Sequence, residues 1–276
     1  MRFKTYVFDL DGTLLNSKKE LTLNTISSIE KLKTHGCSII LNSDRRFTEL
    51  CNYAIQLNLG NNDFLLCRNG LYTYTGNGKL ISKQGFLSIG DVKRISPLSK
   101  DGRVSFFTES IDYYCPFHNR RSLRKRIRTL LHSKSRQKEL LSPLKKKKSI
   151  ATDELKLLYG IKIEKVRLYC NDIQKLKEKY SVYPVADDHG KSDVYSKKSN
   201  KYIALVQLQR NGLISSLDDL LYFGDDINDK ECFINLKYCI SMENAHPEIK
   251  KLAWMETDDC DNDGVANAIA TIENGQ

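Results

Sequence analysis

Two carboxylates stand at the end of the first apolar run of the chain. Asp9 and Asp11 are separated by one residue and are followed by Gly12, which lets the backbone turn sharply. Strand side chains alternate between faces, so Asp9 and Asp11 can leave the strand end on the same side. Crowded carboxylates repel each other, and Mg²⁺ is the cation that such oxygens bind together with a substrate phosphate. The pair predicts a magnesium site with a nucleophile and a proton-transfer group; the alternative is an Asp-Gly turn without chemistry.

A second acidic cluster follows a later apolar run. In Gly224–Asp229, the residues Asp225 and Asp229 are four apart, so one helical turn would bring them to the same face. Asn228 can orient a neighbouring group by hydrogen bonding. An isolated cluster of this kind is typical of a solvated turn. In a chain that already contains the first carboxylate pair, it predicts the remaining metal ligands.

Two further residues have side chains suited to a phosphoryl group. Ser43 ends an apolar run, where its hydroxyl can donate to a phosphoryl oxygen or, alternatively, cap the helix that follows. Lys201 lies near the start of a predicted helix and can neutralise both the phosphoryl group and the nucleophile, although most single lysines are solvated. We predict that Ser43 and Lys201 belong to the same site as the carboxylates.

Apolar runs alternate with helical spacings in the first part of the chain. The predicted elements are strands at 5–10, 37–41 and 64–67 and helices at 22–35 and 46–58. Short connections between them indicate an α/β fold with a parallel sheet, whose strands end at one edge where ligands bind. Asp9, Ser43 and Asn69 all follow predicted strands and are expected at that edge.

The alternation returns near the C-terminus after a segment of different character. The returning elements are helices at 200–210, 229–236 and 263–272 and strands at 219–223 and 238–241. The segment between has helical patterns at 119–141, 153–158 and 172–180 and strand patterns at 103–114, 165–170 and 181–186. We therefore predict a discontinuous Rossmann-like core, residues 1–80 and 190–276, with an inserted α+β domain at 81–189.

The composition narrows the class of protein. The 276 residues are 40% hydrophobic and 28% charged, which is typical of a soluble globular protein, and no apolar run is long enough to span a bilayer. Because no signal-peptide core precedes the first carboxylate pair, we expect a cytoplasmic location. The eight cysteines include no Cys-x-x-Cys pair, so we expect reduced structural thiols and no zinc site.

The net charge of +10 is concentrated in one segment. Residues 121–148 carry twelve Lys and Arg against one acidic residue, Glu139. A segment of this kind could bind nucleic acid or an anionic membrane surface, but it is more often a solvated helix. The segment lacks interleaved aromatic residues for base stacking, which argues against nucleic acid as a partner.

Taken together, these motifs resemble those of the haloacid dehalogenase-like hydrolases, specifically the Cof-type phosphatase subfamily. The similarity involves seven positions or stretches of the chain. These are Asp9–Leu14, the end of a strand at Ser43, Asn69-Gly70, the single residue Lys201, Gly224–Asp229, and the stretches 242–247 and 263–265. It covers both predicted core segments, whereas the inserted domain matches only in position and approximate size. One departure is Ser43-Asp44-Arg45, where the family usually has Thr-Gly-Arg. Asp44 would weaken phosphate binding unless its side chain points away.

The resemblance implies a mechanism. Asp9 would attack phosphorus and form an aspartyl-phosphate, and Asp11 would protonate the leaving group and then deprotonate the hydrolytic water. Mg²⁺ would be bound by Asp9, the backbone carbonyl of Asp11 and Asp225, and Asp229 would support the metal site. The residues expected to bind the phosphoryl oxygens are Ser43, Lys201 and Asn228.

The resemblance also implies a role for the inserted domain and a class of substrate. The domain would be a mobile cap that excludes water and selects the leaving group. Its candidate substrate-facing residues are Tyr113, Tyr114, Phe117, His118, Asp187 and His189. We predict a Mg²⁺-dependent phosphatase of small phosphorylated metabolites, with sugar phosphates as the first class to test. The alternative at the same site is a phosphomutase, and the sequence leaves the natural substrate and the oligomeric state open.

Overall fold

The computed structural model describes residues 2–100, 103–109, 112–116, 147–149, 159–170, 176, 182–186 and 191–275. The chain forms two compact units, one made of Met1–Gly85 with Lys198–Gln276 and the other of Phe86–Lys197. These borders lie five and eight residues beyond the predicted ones at 80 and 189. The reason is that strands at 80–83 and 191–196 complete the sheets of the first and second unit, respectively.

The described residues contain the following elements in chain order. The strands are β1 (Thr5–Phe8), β2 (Ser38–Asn42), β3 (Phe64–Cys67), β4 (Tyr72–Thr75), β5 (Leu80–Lys83), β6 (Arg103–Thr108), β7 (Asp112–Pro116), β8 (Lys147–Ser149), β9 (Ile163–Tyr169), β10 (Val182–Ala186), β11 (Lys191–Ser196), β12 (Leu220–Gly224), β13 (Cys239–Met242) and β14 (Met255–Thr257). The helices are α1 (Leu23–Thr34), α2 (Phe47–Gln56), α3 (Ile89–Ile95), α4 (Lys201–Arg210), α5 (Lys230–Asn235), α6 (Pro247–Lys250) and α7 (Gly264–Asn274).

The first unit is built on a sheet in the order β14-β13-β12-β1-β2-β3-β4-β5. The strands from β14 to β3 are parallel, and β4 and β5 are antiparallel additions at one edge. Every residue of β1, β3, β12 and β13 is buried, because helices cover both faces of a parallel sheet and its central strands are apolar throughout. This arrangement brings the carboxyl ends of β1, β2, β3 and β12 to one edge.

The helices of the first unit begin and end at recognisable local signals. Thr22 caps α1 by accepting a hydrogen bond from the amide of Thr25, and Gly36 follows the helix with a φ of +79°. Asn200 caps α4 by accepting from the amide of Ile203. Helix α1 packs against α7, and α4 packs against α5. The cap at Asn200 fixes the position of the next residue, Lys201.

The second unit contains a sheet in the order β10-β11-β9-β6-β7-β8, antiparallel except for the β7–β8 pair. One face carries the apolar core of this unit, in which α3 packs on side chains such as Val104, Phe106, Val166 and Val194. The alternation of strand side chains sends Phe107, Lys165, Arg167 and Asp193 to the opposite face.

The predicted fold class is confirmed: the chain has an α/β core with a parallel sheet and an inserted α+β unit. Helices α3 and α6 and strands β4, β5, β8, β11 and β14 are not among the predicted elements. Segment 229–236, predicted as one helix, begins as a 3₁₀ turn at Ile227–Asp229 and continues as α5. The predicted helices at 119–141 and 153–158 lie outside the described residues, as does that at 172–180 apart from Leu176.

Candidate active site

Two neighbouring strands bring the two acidic motifs together. Strand β1 pairs in parallel with β12, with Phe8 opposite Phe223, and the amide of Asp9 donates to the carbonyl oxygen of Phe223 at 3.0 Å. One carboxylate oxygen from each of Asp9, Asp225 and Asp229 lies within 4.8 Å of the other two. The structure therefore places three of the predicted site residues in one cluster at the carboxyl edge of the sheet.

The loop after β1 approaches Asp225 so closely that it requires glycine. Gly12 has a φ of +82°, and a Cβ atom at this position would overlap Oδ2 of Asp225. The hydroxyl of Thr13 donates to Oδ1 of Asp225 at 2.9 Å. Nδ2 of Asn244 donates to the carbonyl oxygen of Gly12 at 2.8 Å. The Gly-Thr pair thus packs the first acidic motif directly onto the second.

Lys201 is completely buried and joins two of the carboxylates. Its Nζ donates to Oδ1 of Asp9 and to Oδ1 of Asp229, both at 2.6 Å. Burial lowers the pKa of Lys201, but the charges of Asp229 and Asp9 outweigh this effect, and the pKa is raised overall. The lysine therefore remains charged inside the protein and holds the proposed nucleophile in place.

Asp229 accepts hydrogen bonds at both carboxylate oxygens. Besides Lys201, the hydroxyl of Tyr222 donates to Oδ1 at 2.6 Å. The backbone amides of Asp225 and Asp226 donate to Oδ2, each at 3.0 Å. Asp225 and Asp229 therefore come together through a side chain that reaches back to the strand end. The sequence predicted that one α-helical turn would bring Asp225 and Asp229 to the same face. This prediction is corrected, because Asp229 lies at the end of a 3₁₀ turn, Ile227–Asp229.

The charges in this cluster do not balance. When all three carboxylates are ionised, they face the single ammonium of Lys201, and two negative charges remain uncompensated among these four groups. Burial raises the pKa of Asp9, and Lys201 opposes this only in part while Asp229 and Asp225 raise the pKa further. Burial and the charge of Asp229 raise the pKa of Asp225 to about 7. A divalent cation would cancel this excess, and the oxygen donors are those that Mg²⁺ prefers.

The carboxylate of Asp11 is bound by two cations. Arg45 donates from Nε to Oδ2 and from Nη2 to Oδ1, both at 2.6 Å, and Nζ of Lys19 lies 2.8 Å from Oδ1. Nη1 of Arg45 also donates to the hydroxyl of Tyr53 at 3.2 Å. Burial raises the pKa of Asp11, but the hydrogen bonds from Arg45 and Lys19 outweigh it and lower the pKa. Asp11 is thus held ionised here, whereas a general acid must carry a proton.

The remaining predicted residues lie at the same edge, with contacts to protein groups. Ser43 follows β2 and is buried, and its Oγ accepts a hydrogen bond from the amide of Arg45 at 3.2 Å. Asn228 lies in the 3₁₀ turn, and among the described residues its buried Oδ1 has no hydrogen-bond partner. Asn69 is buried, and its amide donates to the carbonyl oxygen of Ser43 at 3.0 Å. The carbonyl oxygen of Asp44 accepts from Nη1 of Arg68.

The candidate residues of the inserted domain remain predictions. The backbones of Tyr113 and Tyr114 belong to β7, but their side chains lie outside the described part of the structure. Phe117, His118, Asp187 and His189 lie outside the described residues altogether. The same is true of most of the basic segment 121–148.

Several residues of the site were not found from the sequence. Lys19, Tyr53, Tyr222 and Thr13 each contact a predicted site residue or Arg45, and of these four only Thr13 lies within a motif of the resemblance, Asp9–Leu14, without a predicted role. Thr13 could have been suspected, because it directly follows the Asp-x-Asp-Gly motif. Lys19 and Tyr53 carry no sequence signal, since their contacts depend on the packing of a loop against α2.

Comparison with known proteins agrees with this geometry. A family model described as haloacid dehalogenase-like hydrolase matches residues 6–269. The chain belongs to the haloacid dehalogenase-like hydrolase family. The resemblance recognised in the sequence is thereby confirmed, as is the expectation of a hydrolase.

Individual proteins match over nearly the whole chain. The protein named "Putative phosphatase YxeH" of Bacillus subtilis (strain 168) is 26% identical over 276 residues, which cover 97% of each chain. The crystal structure of SMU.1108c from Streptococcus mutans UA159 has a TM-score of 0.76 at 20% identity and covers 99% of both chains. The sugar phosphatase BT4131, of subclass IIB, has a TM-score of 0.73 at 20% identity over 98% of this chain and 99% of its own. At such identities the two structures establish the shared fold.

Among the described residues, no helix has the length and apolar character that crossing a bilayer requires. Seven of the eight cysteines have side chains that the structure describes, and these seven form no disulfide bond with one another.

Proposed function

We propose that this protein is a Mg²⁺-dependent phosphatase that hydrolyses small phosphorylated metabolites, with sugar phosphates as the first candidates. The observation that carries the proposal is the cluster in which Lys201 joins Asp9 to Asp229 beside Asp225. The hydrolase family and the names of its members, which include a sugar phosphatase, support the same chemistry.

Mg²⁺ fits the uncompensated charge of this cluster. Both oxygens of Asp229 already accept two hydrogen bonds each, so we assign this residue to supporting the site. Asp9 and Asp225, together with the backbone carbonyl of Asp11, are the proposed metal-binding groups. When bound, the cation would neutralise the carboxylates and the charge on a phosphoryl group. The crowded carboxylates have no comparable explanation as a purely structural arrangement.

Asp9 is the proposed nucleophile. Its Oδ1 is fixed by Lys201, which leaves Oδ2 as the oxygen that can attack phosphorus. The bond to the leaving oxygen then breaks, and the phosphoryl group is carried by Asp9 until water releases it. Ser43, Lys201 and Asn228 are the proposed phosphoryl-binding residues. For Asn228 the donor to a phosphoryl oxygen would be Nδ2, because its Oδ1, which has no partner among the described residues, is an acceptor.

Asp11 is the proposed acid and base. In the ionised state held by Arg45 and Lys19, it is ready to take a proton from the hydrolytic water. To protonate the leaving oxygen, it must first gain a proton, which requires one or both cations to move. We therefore propose that substrate binding rearranges the contacts of Arg45 and Lys19.

The direct test is the hydrolysis of p-nitrophenyl phosphate in the presence of Mg²⁺. We expect Asp9→Asn to lower kcat by at least about 10⁴-fold, because it removes the nucleophile, and we expect chelation of Mg²⁺ to abolish turnover. Asp218→Asn makes the same chemical change at an exposed position and is the control. Full activity of Asp9→Asn, or of the chelated enzyme, would exclude the mechanism. A phosphomutase would instead isomerise a hexose phosphate without release of inorganic phosphate.

A further inference from the structure

Tyr53 of α2 is half-buried and contacts both Arg45 and the loop that follows β1. Its hydroxyl accepts a hydrogen bond from Nη1 of Arg45 at 3.2 Å and donates to the carbonyl oxygen of Lys19 at 3.0 Å. The direction of both bonds is fixed, because a guanidinium has no acceptor and a carbonyl group has no donor. This one hydroxyl therefore connects the backbone of the loop to the side chain that binds Asp11.

Arg45 uses different nitrogen atoms for Asp11 and for Tyr53. Nε and Nη2 donate to the two oxygens of Asp11, whereas Nη1 donates to the hydroxyl of Tyr53. The guanidinium carbon also lies 5.5 Å from the centre of the Tyr53 ring, which adds a cation–π attraction. Arg45 thus has two contacts that do not depend on the state of Asp11. When the bonds to Asp11 rearrange, these contacts can keep the guanidinium beside the carboxylate.

The turn that carries the Lys19 carbonyl has a constrained backbone. Lys19 has a φ of +65°, a conformation that is unfavourable for a residue with a side chain. Oδ1 of Asn16 accepts hydrogen bonds from the amides of Lys18 and Glu20. The carbonyl oxygen of Asn16 accepts from the amide of Lys19 at 2.9 Å. These bonds fix the turn, and with it the carbonyl group to which Tyr53 donates.

The ammonium of Lys19 restrains Asp11 less than Arg45 does. It contacts Oδ1 only, and the Lys19 side chain is 53% exposed against 21% for Arg45. An exposed ion pair with a single contact contributes little, whereas a bidentate guanidinium also fixes the plane of the carboxylate. The orientation of Asp11 therefore depends mainly on Arg45 and on the groups that hold Arg45.

We propose that Tyr53 is a positioning residue of the reaction. Tyr53 holds Arg45, and Arg45 orients the carboxylate of Asp11 for proton exchange with the leaving oxygen and with water. The turn around Lys19 in its turn holds the hydroxyl of Tyr53. The inference rests on the proposed function, since it assumes that Asp9 and Asp11 act on a phosphate ester.

The test compares two esters of similar shape, phenyl phosphate and p-nitrophenyl phosphate, with the full-length protein and Mg²⁺. Phenolate is the poorer leaving group and gains more from a proton donor than p-nitrophenolate does. The ratio kcat/KM covers the steps up to the departure of the leaving group. For Tyr53→Phe, which keeps the ring, we expect kcat/KM to fall about tenfold with phenyl phosphate and less than about twofold with p-nitrophenyl phosphate.

Two further variants sharpen the test. Tyr6→Phe is the matched control, because it removes a tyrosine hydroxyl that donates to Glu273, and kcat/KM for both esters should stay within about twofold of the wild type. Asn16→Ala removes the acceptor of two amides in the turn and should show the same selective loss, about threefold. The double variant Asn16→Ala/Tyr53→Phe should lose about as much as Tyr53→Phe alone, because both changes act through one contact.

The outcomes separate this inference from the proposed function. If Tyr53→Phe leaves kcat/KM unchanged, or lowers it equally for the two esters, the role of Tyr53 is overturned and the phosphatase function stands. Losses that multiply in the double variant would overturn the role of the turn. A wild type that hydrolyses neither ester would exclude the proposed function, and the role of Tyr53 with it.

Discussion

Each unit of this protein buries a group of charged side chains, and the two groups have opposite character. In the first unit, Asp9, Asp225 and Asp229 lie together, and one lysine, Lys201, binds two of them, Asp9 and Asp229. In the second unit, one carboxylate, Asp193, accepts hydrogen bonds from two cations. Crowding and burial raise the pKa of Asp9 and Asp225, whereas the pKa of Asp193 is lowered.

The second group is a local pairing within the sheet. Asp193 on β11 lies opposite Arg167 on β9, and Nζ of Lys165 donates to Oδ2 of Asp193 at 2.7 Å. Both cations also lie over the ring of Phe107 at 5.3 to 5.4 Å from its centre. Burial raises the pKa of Asp193, but the hydrogen bond from Arg167 and the charge of Lys165 outweigh it.

The difference teaches how a buried charge cluster can be interpreted. A carboxylate whose charge is compensated by hydrogen bonds from neighbouring cations requires no further ligand, and it contributes to stability. Carboxylates that are forced together leave an excess of negative charge that a proton or an additional cation must cancel, which is typical of a functional site. The following experiments test this distinction.

The largest effect is expected from removing the lysine of the first cluster. Lys201→Met keeps an unbranched side chain that is one atom shorter and leaves Asp9 and Asp229 without their cation. We expect kcat to fall by at least about 10³-fold and the free energy of unfolding to fall by about 3 kcal/mol. Phosphate release and urea denaturation measure the two effects.

The control for this experiment is Lys230→Met, which removes a lysine that pairs with Glu248 at the surface. We expect unchanged kcat and a stability loss below about 1 kcal/mol, because exposed ion pairs contribute little. Equal effects of the two substitutions would contradict the special role of Lys201.

The next largest effect concerns Gly12. Gly12→Ala places a Cβ atom against Oδ2 of Asp225, and we expect the Mg²⁺ concentration for half-maximal activity to rise about tenfold or more. Gly36→Ala is a matched control, because Gly36 has a similar φ of +79° but a Cβ atom there would meet no other atom within 4 Å. Both variants should lose about 1 kcal/mol of stability from the left-handed backbone. A similar loss of Mg²⁺ affinity in both would exclude the steric explanation.

A stability effect without a catalytic effect is expected in the second unit. At neutral pH, Asp193→Asn should lower the free energy of unfolding by about 2 kcal/mol, less than for a fully buried pair because Arg167 is partly exposed. The folded-state pKa of Asp193 is below its unfolded value, so its contribution is present above about pH 4 and is lost as the pH falls through the folded-state pKa. Urea denaturation of wild type and variant at several pH values should show the two curves converging in acid. A constant difference down to the lowest pH would argue against this pairing.

The smallest effect is expected from a single hydroxyl. Tyr222→Phe removes one donor to Asp229. Tyr6→Phe, on the neighbouring strand β1, removes the donor to Oε1 of Glu273 on α7, a contact of 2.9 Å. Each variant should lose about 1 kcal/mol of stability. Only Tyr222→Phe should also lower kcat, by about threefold to tenfold, through the altered position of Lys201. An equal kcat in both variants would show that Asp229 does not need this donor.

Much of the first unit could be predicted from the sequence. The parallel strands consist of short apolar runs with turn signals after them, and β1, β2 and β12 each lead into a residue of the site. Because β-strands repeat every two residues and parallel strands end at one edge, Asp9, Ser43 and Asp225 could be assigned to the same place without coordinates. The antiparallel edge strands β4 and β5 were harder to predict. Tyr72–Thr75 and Leu80–Lys83 are only partly buried, so the hydrophobic pattern of their sequences is weak.

The tertiary structure decided which group each side chain contacts. The spacing of Asp225 and Asp229 suggested a shared helical face. Asp229 instead turns inward, because the buried Lys201 donates to one of its oxygens and the amides of its own loop donate to the other. Asp11 was recognised as a candidate acid and base from its place after Asp9. Its binding by Arg45 and Lys19 depends on a loop, a strand end and α2 that are close only in the folded chain. Sequence periodicity determines where a residue lies on its element, whereas the balance of charges around it is set by packing between elements.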